Sequence, residues 1–141
     1  MKIWRLDAEM TMHDAAISKF SQWWKRTMRA GHAFAEGAYL HGATDERHWV
    51  KEARRPWIWA FLIPLMALVS IALFEYWGLL LLLIYPLRIL HLALKYKLAH
   101  QPYPLTQAVF SLAGKFAEFY GQLRFHFNRW LGRAIRLIEY K

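Results

Sequence analysis

Residues 56–94, PWIWAFLIPLMALVSIALFEYWGLLLLLIYPLRILHLAL, decide the fold class. Residues 57–74 carry no charged side chain, and at about 1.5 Å rise per residue they make a helix of about 27 Å, close to the hydrocarbon thickness of a bilayer. After Glu75, Tyr76, Trp77 and Gly78 the apolar run resumes at Leu79 and continues past Arg88 to Leu94. This pattern predicts two spanning helices, about 57–74 and 78–97, joined by a very short turn, with Tyr76 and Trp77 at the headgroup level. A single tilted or interfacial segment is the competing arrangement. It would leave Glu75 near mid-bilayer, where a carboxylate is costly. Pro64 and Pro86 each fall inside a predicted helix, where the missing N–H bends the axis.

Flanking charge sets the orientation. Lys51, Arg54 and Arg55 precede the first helix, and Lys95 and Lys97 follow the second. Basic flanks stay in the cytosol, so the expectation is a multi-pass membrane protein with both termini cytosolic and the Glu75 turn outside.

Composition narrows the partners. The chain has 141 residues, enough for about one domain. With a hairpin removed, the remainder splits into two pieces, each too small for an ordinary catalytic domain. A net charge of +9 is compatible with nucleic acid, but eight Trp and a membrane hairpin favour anionic lipid headgroups as the counter-charge, and no nucleic-acid partner is expected. Beyond residue 87 the positions 88, 95, 97, 115, 124, 129, 133, 136 and 141 are Lys or Arg, against Glu118 and Glu139 alone. Absence of cysteine excludes disulfides, thiolate metal sites and cysteine nucleophiles. The first thirty residues lack an apolar h-region, so no cleavable signal peptide is expected and the hairpin serves for targeting.

Three regions emerge from the periodicity: 1–55, the hairpin region 56–98, and 99–141. Residues 1–13 begin with a short alternating pattern (Ile3, Trp4, Leu6) that fits a brief strand or an extended entry segment. Over 14–30 the residues Ala16, Ile17, Phe20, Trp23, Trp24 and Met28 recur at helical spacing opposite Lys19, Gln22, Lys25, Arg26 and Arg29. Asp14, or Thr11 with Asp14, caps this amphipathic helix, and Gly31 closes it as a C′ residue. Residues 31–43, GHAFAEGAYLHGA, read as a loop with room for one helical turn, and Thr44 caps a short polar helix leading to Pro56. The break His100–Pro104 is followed by a long amphipathic helix from Leu105 to Ile138. Its apolar face is Val109, Leu112, Phe116, Phe119, Tyr120, Leu123, Phe127, Trp130, Leu131, Ala134 and Ile138. An aromatic face opposite a cationic one suits a helix lying on the cytosolic leaflet, and packing on protein is the alternative. Gly114, Gly121 and Gly132 are candidate bends.

Three groups of side chains are candidates for chemistry. His13 beside Asp14 offers one imidazole ligand for a metal. Gln22, Trp23, Trp24, Lys25, Arg26 and Arg29 offer aromatic faces for sugars and cations for phosphate, or an interfacial anchor. Arg88, His91 and Lys95 share a stripe of the second membrane helix; they either meet a lipid phosphate or snorkel toward cytosolic headgroups. The sequence has no Gly-rich phosphate loop, no H-E-x-x-H and no credible Ser/His/Asp set.

The stretch RLDAEMTMHDAAISKFSQWWKRTMRAGHAFAEGAYLHG, residues 5–42, resembles the end of the catalytic domain in bacterial membrane-bound family 2 glycosyltransferases, the cellulose synthase and poly-N-acetylglucosamine synthase-like group. GKFAEFYGQLRFHFNRWLGRAIRLIEYK, residues 114–141, resembles the C-terminal tail of the same group. The resemblance implies that His13 completes a Mg or Mn site, not expected to hold metal tightly in this chain alone. It implies that Gln22 to Arg26 correspond to a Q-x-x-R-W motif, with Arg26 standing where that motif has Trp. It implies further that Lys25, Arg26 and Arg29 face a donor diphosphate or the lipid surface. The D-x-D motif and the E-D pair with the catalytic base have no counterpart here, and the nucleotide-sugar domain is absent.

The fold expectation is therefore an all-α membrane protein: an amphipathic helix, a two-helix transmembrane hairpin and a long C-terminal interfacial amphipathic helix. The functional expectation is a membrane-anchoring C-terminal fragment or subunit of a glycosyltransferase, inactive alone. Nucleotide sugar and membrane-associated acceptor would be met only together with the missing upstream domain. The alternative is a small non-catalytic membrane protein that binds anionic lipid or a partner enzyme.

Overall fold

The computed structural model describes residues 19–43, 47 and 49–132. Five α-helices follow one another: α1 (Phe20–His41), α2 (Val50–Pro56), α3 (Ile63–Phe74), α4 (Ile84–Leu98) and α5 (Pro104–Trp130). A wide-turned π segment, Trp57–Leu62, joins α2 to α3, and a 3-10 segment, Glu75–Leu83, joins α3 to α4. There is no strand among the described residues. The extended segment expected over 1–13, the caps at Thr11, Asp14 and Thr44, and the tail beyond Gly132 lie outside the described residues.

The packing centre is the crossing of α1 and α5. Thr27, Gly31 and Ala35 repeat every fourth residue along α1, while Gly114, Ala117 and Gly121 line one face of α5. Small residues at this spacing let two helix backbones approach closely, which is how helices associate where water supplies no hydrophobic drive. A Cβ on Gly31 would collide with the Glu118 main chain, and one on Gly121 would collide with the Met28 carbonyl. Ala35, Ala108, Leu112, Ala117 and Phe125 complete a buried core made mostly of small side chains.

This crossing corrects the expectation that Gly31 ends the first helix. A stop glycine has a left-handed backbone, whereas Gly31 lies mid-helix and is buried against α5. Residues 31–41, expected as a loop with at most one helical turn, are helical throughout because Gly31, Ala35 and Gly37 make a packing face. Gly114 and Gly121 likewise serve close approach to α1, where Gly114 meets Trp23 and Thr27.

The helical run Val50–Leu98 is long and apolar enough to cross a membrane by length and composition, yet 6% of its most apolar 18-residue window is buried. In α3 the only buried residue is Ala67, while Leu68 and Leu73 are 66% and 70% exposed. A helix apolar all round is at home inside a protein or inside lipid, and α3 is not inside this protein.

Two local features shape the run. In π hydrogen bonding each carbonyl accepts from the fifth residue on, and Ile63 N–H indeed donates to Ile58 O. The Trp59 carbonyl would then look to residue 64, a proline with no N–H. Its donor is instead the Tyr85 hydroxyl at 2.6 Å, 26 residues on. The backbone of that run turns at Phe74 (φ −123°, ψ 16°) and Glu75 (φ 53°, ψ −136°). Residues 75–83 then fold back on α3, with Gly78 against the main chain of Ser70 and Ile71. The second limb is thus 3-10 before it becomes α-helical at Ile84, and nine residues is long for that conformation.

On α5 the buried face is rotated from the one expected. Leu112 is buried and Phe119 half-buried, but Val109, Phe116, Tyr120, Leu123, Phe127 and Trp130 are exposed. The buried residues are instead Ala108, Leu112, Gly114, Ala117, Gly121, Gln122 and Phe125, of which Gly114, Gly121 and Phe125 meet α1. The helix packs on protein mostly through small residues, with Phe125 buried among them, and leaves Phe116, Tyr120, Phe127 and Trp130 outward.

Candidate functional site: a basic cleft beside the apolar run

A cleft of about 690 Å³ opens between α1, the start of the apolar run, α4 and α5. Four cations line it: Arg55, Arg88, Lys95 and Lys115. Lys115 is neutralised by Glu118, its Nζ 2.7 Å from Oε2 and 2.9 Å from Oε1. The guanidinium of Arg88 stands over the Trp59 ring at 5.3 Å, which orients the cation without cancelling its charge. Arg55 and Lys95 are exposed at the margin. The cleft therefore keeps an excess of positive charge beside the apolar run, and guanidinium and ammonium donors are the groups that bind phosphate oxygens.

The walls are fixed by packing and hydrogen bonds. Trp23 meets Phe110 edge-on at 4.9 Å. Tyr96 Oη and Ser111 Oγ, 3.0 Å apart, tie α4 to α5. Gln107 Nε2 donates to the Pro102 carbonyl at 2.8 Å and secures the α4–α5 connection. Thr27 Oγ1 donates to the Trp23 carbonyl at 2.9 Å.

The expected side chains are brought together in part. Trp23, Arg88 and Lys95 share the cleft. His91 is exposed and does not line it: at roughly 100° per residue, a three-residue step falls about 60° off the axis of the stripe. Leu92 and Tyr96 occupy the lining positions instead. Gln22 uses Oε1 to accept from the Lys19 main-chain N–H at 3.3 Å at the start of α1. Trp24 packs beside Phe20, with ring centroids 6.0 Å apart. Lys25, Arg26 and Arg29 are exposed, and Arg29 Nε donates to the Lys25 carbonyl at 3.3 Å. His13 lies outside the described residues, and among the described residues no three or more His, Asp or Glu side chains converge on a metal position.

Arg55, Trp59 and Lys115 belong to the cleft without standing out in the sequence. Arg55 reads there as a flanking charge, two residues before the uncharged stretch that begins at Trp57.

A second, smaller pocket of about 380 Å³ lies between α1, α2 and α5, lined by Ala35, Ala38, Val50, Ala53, Trp57 and Gln122, with Arg54, Tyr39 and His126 also contributing. Gln122 is 1% exposed. Its Oε1 accepts from Trp57 Nε1 at 2.8 Å, and its Nε2 has no hydrogen-bond partner among the described residues. Indole N–H can only donate, so the atom facing Trp57 must be the oxygen and the amide cannot be turned over. A buried donor left in this state costs about 1–3 kcal/mol.

Two histidines flank this region. Burial holds His32 below the ordinary imidazole value of 6.5, with Arg124 adding to the effect and Glu36, 3.9 Å away, opposing it. Burial and then Arg129 lower His126. No family model, curated protein or solved structure matches the chain.

Proposed function

We propose that this chain is a helical membrane protein whose basic cleft holds the phosphate of an anionic lipid at the cytosolic face of the inner membrane. In this reading α3 and the returning limb Glu75–Leu98 form a two-helix transmembrane hairpin, both termini are cytosolic, and the aromatic residues of α5 rest in the leaflet. The observation that carries it is the apolar run with 6% of its window buried, which leads directly into the cleft of Arg55, Arg88 and Lys95. An apolar surface of that length needs lipid around it, and a phosphate at its edge supplies the counter-charge.

The glycosyltransferase reading makes the same cleft the seat of a lipid-linked acceptor and the chain the anchoring part of a larger enzyme. That reading rests on the sequence resemblance alone. Of Gln22, Trp23, Trp24, Lys25, Arg26 and Arg29, Trp23 lines the cleft, so acceptor contact would fall to it together with Arg88 and Lys95.

The test is co-flotation of the purified chain, exchanged from detergent, with vesicles of zwitterionic lipid and with vesicles containing anionic lipid. Both should carry the protein, and the anionic ones should compete for a labelled anionic lipid. A basic residue near an anionic surface is worth about 1 kcal/mol, so Arg88→Gln with Lys95→Gln should weaken that competition roughly 20- to 30-fold without abolishing flotation. Unchanged competition by the double variant would remove the cleft from the function; loss of flotation by the parent chain would remove the membrane.

A further inference from the structure

We propose that the pocket between α1, α2 and α5 recognises the ester carbonyl of an acyl-linked glycerophospholipid, with Gln122 Nε2 as donor and Arg54 as the cation for that lipid's own phosphate. This rests on the membrane reading, since such a lipid reaches the pocket from the leaflet, and it concerns a site separate from the basic cleft.

The chemistry of the pocket selects the ligand. Ala35, Ala38, Val50, Ala53 and Trp57 give it apolar walls. Trp57 Nε1 is spent on Gln122 Oε1, and the Tyr39 hydroxyl accepts from Arg129 at 2.8 Å. The His126 ring packs against Trp57 and Phe125. The pocket also holds one buried neutral donor, Gln122 Nε2, and one exposed guanidinium, Arg54. A neutral donor in an apolar pocket suits an uncharged acceptor, because a buried carboxylate or phosphate would lose more hydration than one amide N–H returns. The cation calls for an anion beyond it. An ester carbonyl a few bonds from a phosphate has both groups in that order. The pocket adjoins Pro56 and Trp57, where the apolar run begins, which is the depth at which a lipid carries its ester groups under its phosphate.

Ester and ether forms of one lipid separate this from general lipid binding, because they share headgroup and chain and differ in the carbonyl. Affinities for 1-palmitoyl lysophosphatidylglycerol and 1-O-hexadecyl lysophosphatidylglycerol are measured in maltoside micelles by calorimetry. The parent chain should bind the ester form about tenfold more tightly. Gln122→Met combined with Trp57→Phe, which removes the donor together with the indole N–H that loss of Gln122 Oε1 would free, should bring the ratio to one. Arg54→Gln should weaken both forms and keep the ratio. Equal affinities in the parent chain, the result expected if a water molecule serves the amide, overturn the proposal, as does no binding of either form. Flotation of the same preparation decides the membrane reading separately: flotation with equal affinities sinks the pocket alone, and an ester preference without flotation sinks the membrane reading alone.

Discussion

At the residue scale, the molecule depends on a few side chains that are absent. Gly31 and Gly121 each lie where a methyl group would enter the opposing main chain. Gly31→Val and Gly121→Val should each lower stability in detergent by at least the 1–3 kcal/mol typical of overpacking, seen as a fall in the thermal midpoint. Gly132 gives the contrast. It has φ +63° and open space around it, so Gly132→Ala costs about 1–2 kcal/mol of backbone strain and Gly132→Asn less. The histidines add a pH dependence. Both His32 and His126 are held below the ordinary value, so below about pH 6.5 the unfolded chain binds more protons than the folded one. Stability is full above 6.5 and falls as pH drops through the lowered folded values. The thermal midpoint should therefore decline between pH 7.5 and 5, and His32→Asn should flatten the decline. A midpoint that rises on acidification would reverse the assignment.

At the scale of elements, legibility tracks burial. The apolar run can be read because lipid-length hydrophobicity is a property of composition, needing no knowledge of what packs where. The α1–α5 crossing cannot be read that way. Its signal is small residues at fourth positions, Thr27, Gly31 and Ala35 against Gly114, Ala117 and Gly121, and glycine taken alone points equally to a helix end. The rotated face of α5 has the same origin: periodicity turns large apolar residues inward, whereas the close approach of two backbones selects small ones and leaves Phe116, Tyr120, Phe127 and Trp130 outward. Half of the cleft is legible because Arg88 and Lys95 are costly in an apolar helix and demand a reason. Arg55 in the cleft, and Gln122 in the smaller pocket, are not, since their meaning depends on elements distant in sequence. The reversal at Glu75 is open to test at this scale. Its φ of 53° is uncommon for a carboxylate side chain, so Glu75→Gly should be neutral or stabilising, and Glu75→Ile destabilising. Gly78→Val would place a side chain in the Ser70–Ile71 main chain and should separate the limbs, read as loss of a distance restraint between spin labels at Val69 and Leu80.

At the scale of the whole molecule, the apolar run, the basic cleft and the outward aromatics of α5 make sense together only with respect to one surface. The cleft opens where the run begins, and the second limb returns to the same end, as the Tyr85 hydroxyl on the Trp59 carbonyl and Arg88 over Trp59 require. If a bilayer surrounds α3, the Tyr76–Trp77 turn must lie on the far side from Arg55 and Lys95. The chain has no native cysteine, so single substitutions report position without background. In spheroplasts, Tyr76→Cys should react with a membrane-impermeant maleimide, and Lys25→Cys and Lys97→Cys should react only after lysis. Protection of all three until lysis would mean that the run lies along the cytosolic surface. In that case the carboxylate of Glu75 would sit near water and the reversal at Phe74 would be an ordinary surface turn. Labelling of Tyr76→Cys alone fixes the cleft on the cytosolic side, where an anionic leaflet and a basic cleft face each other.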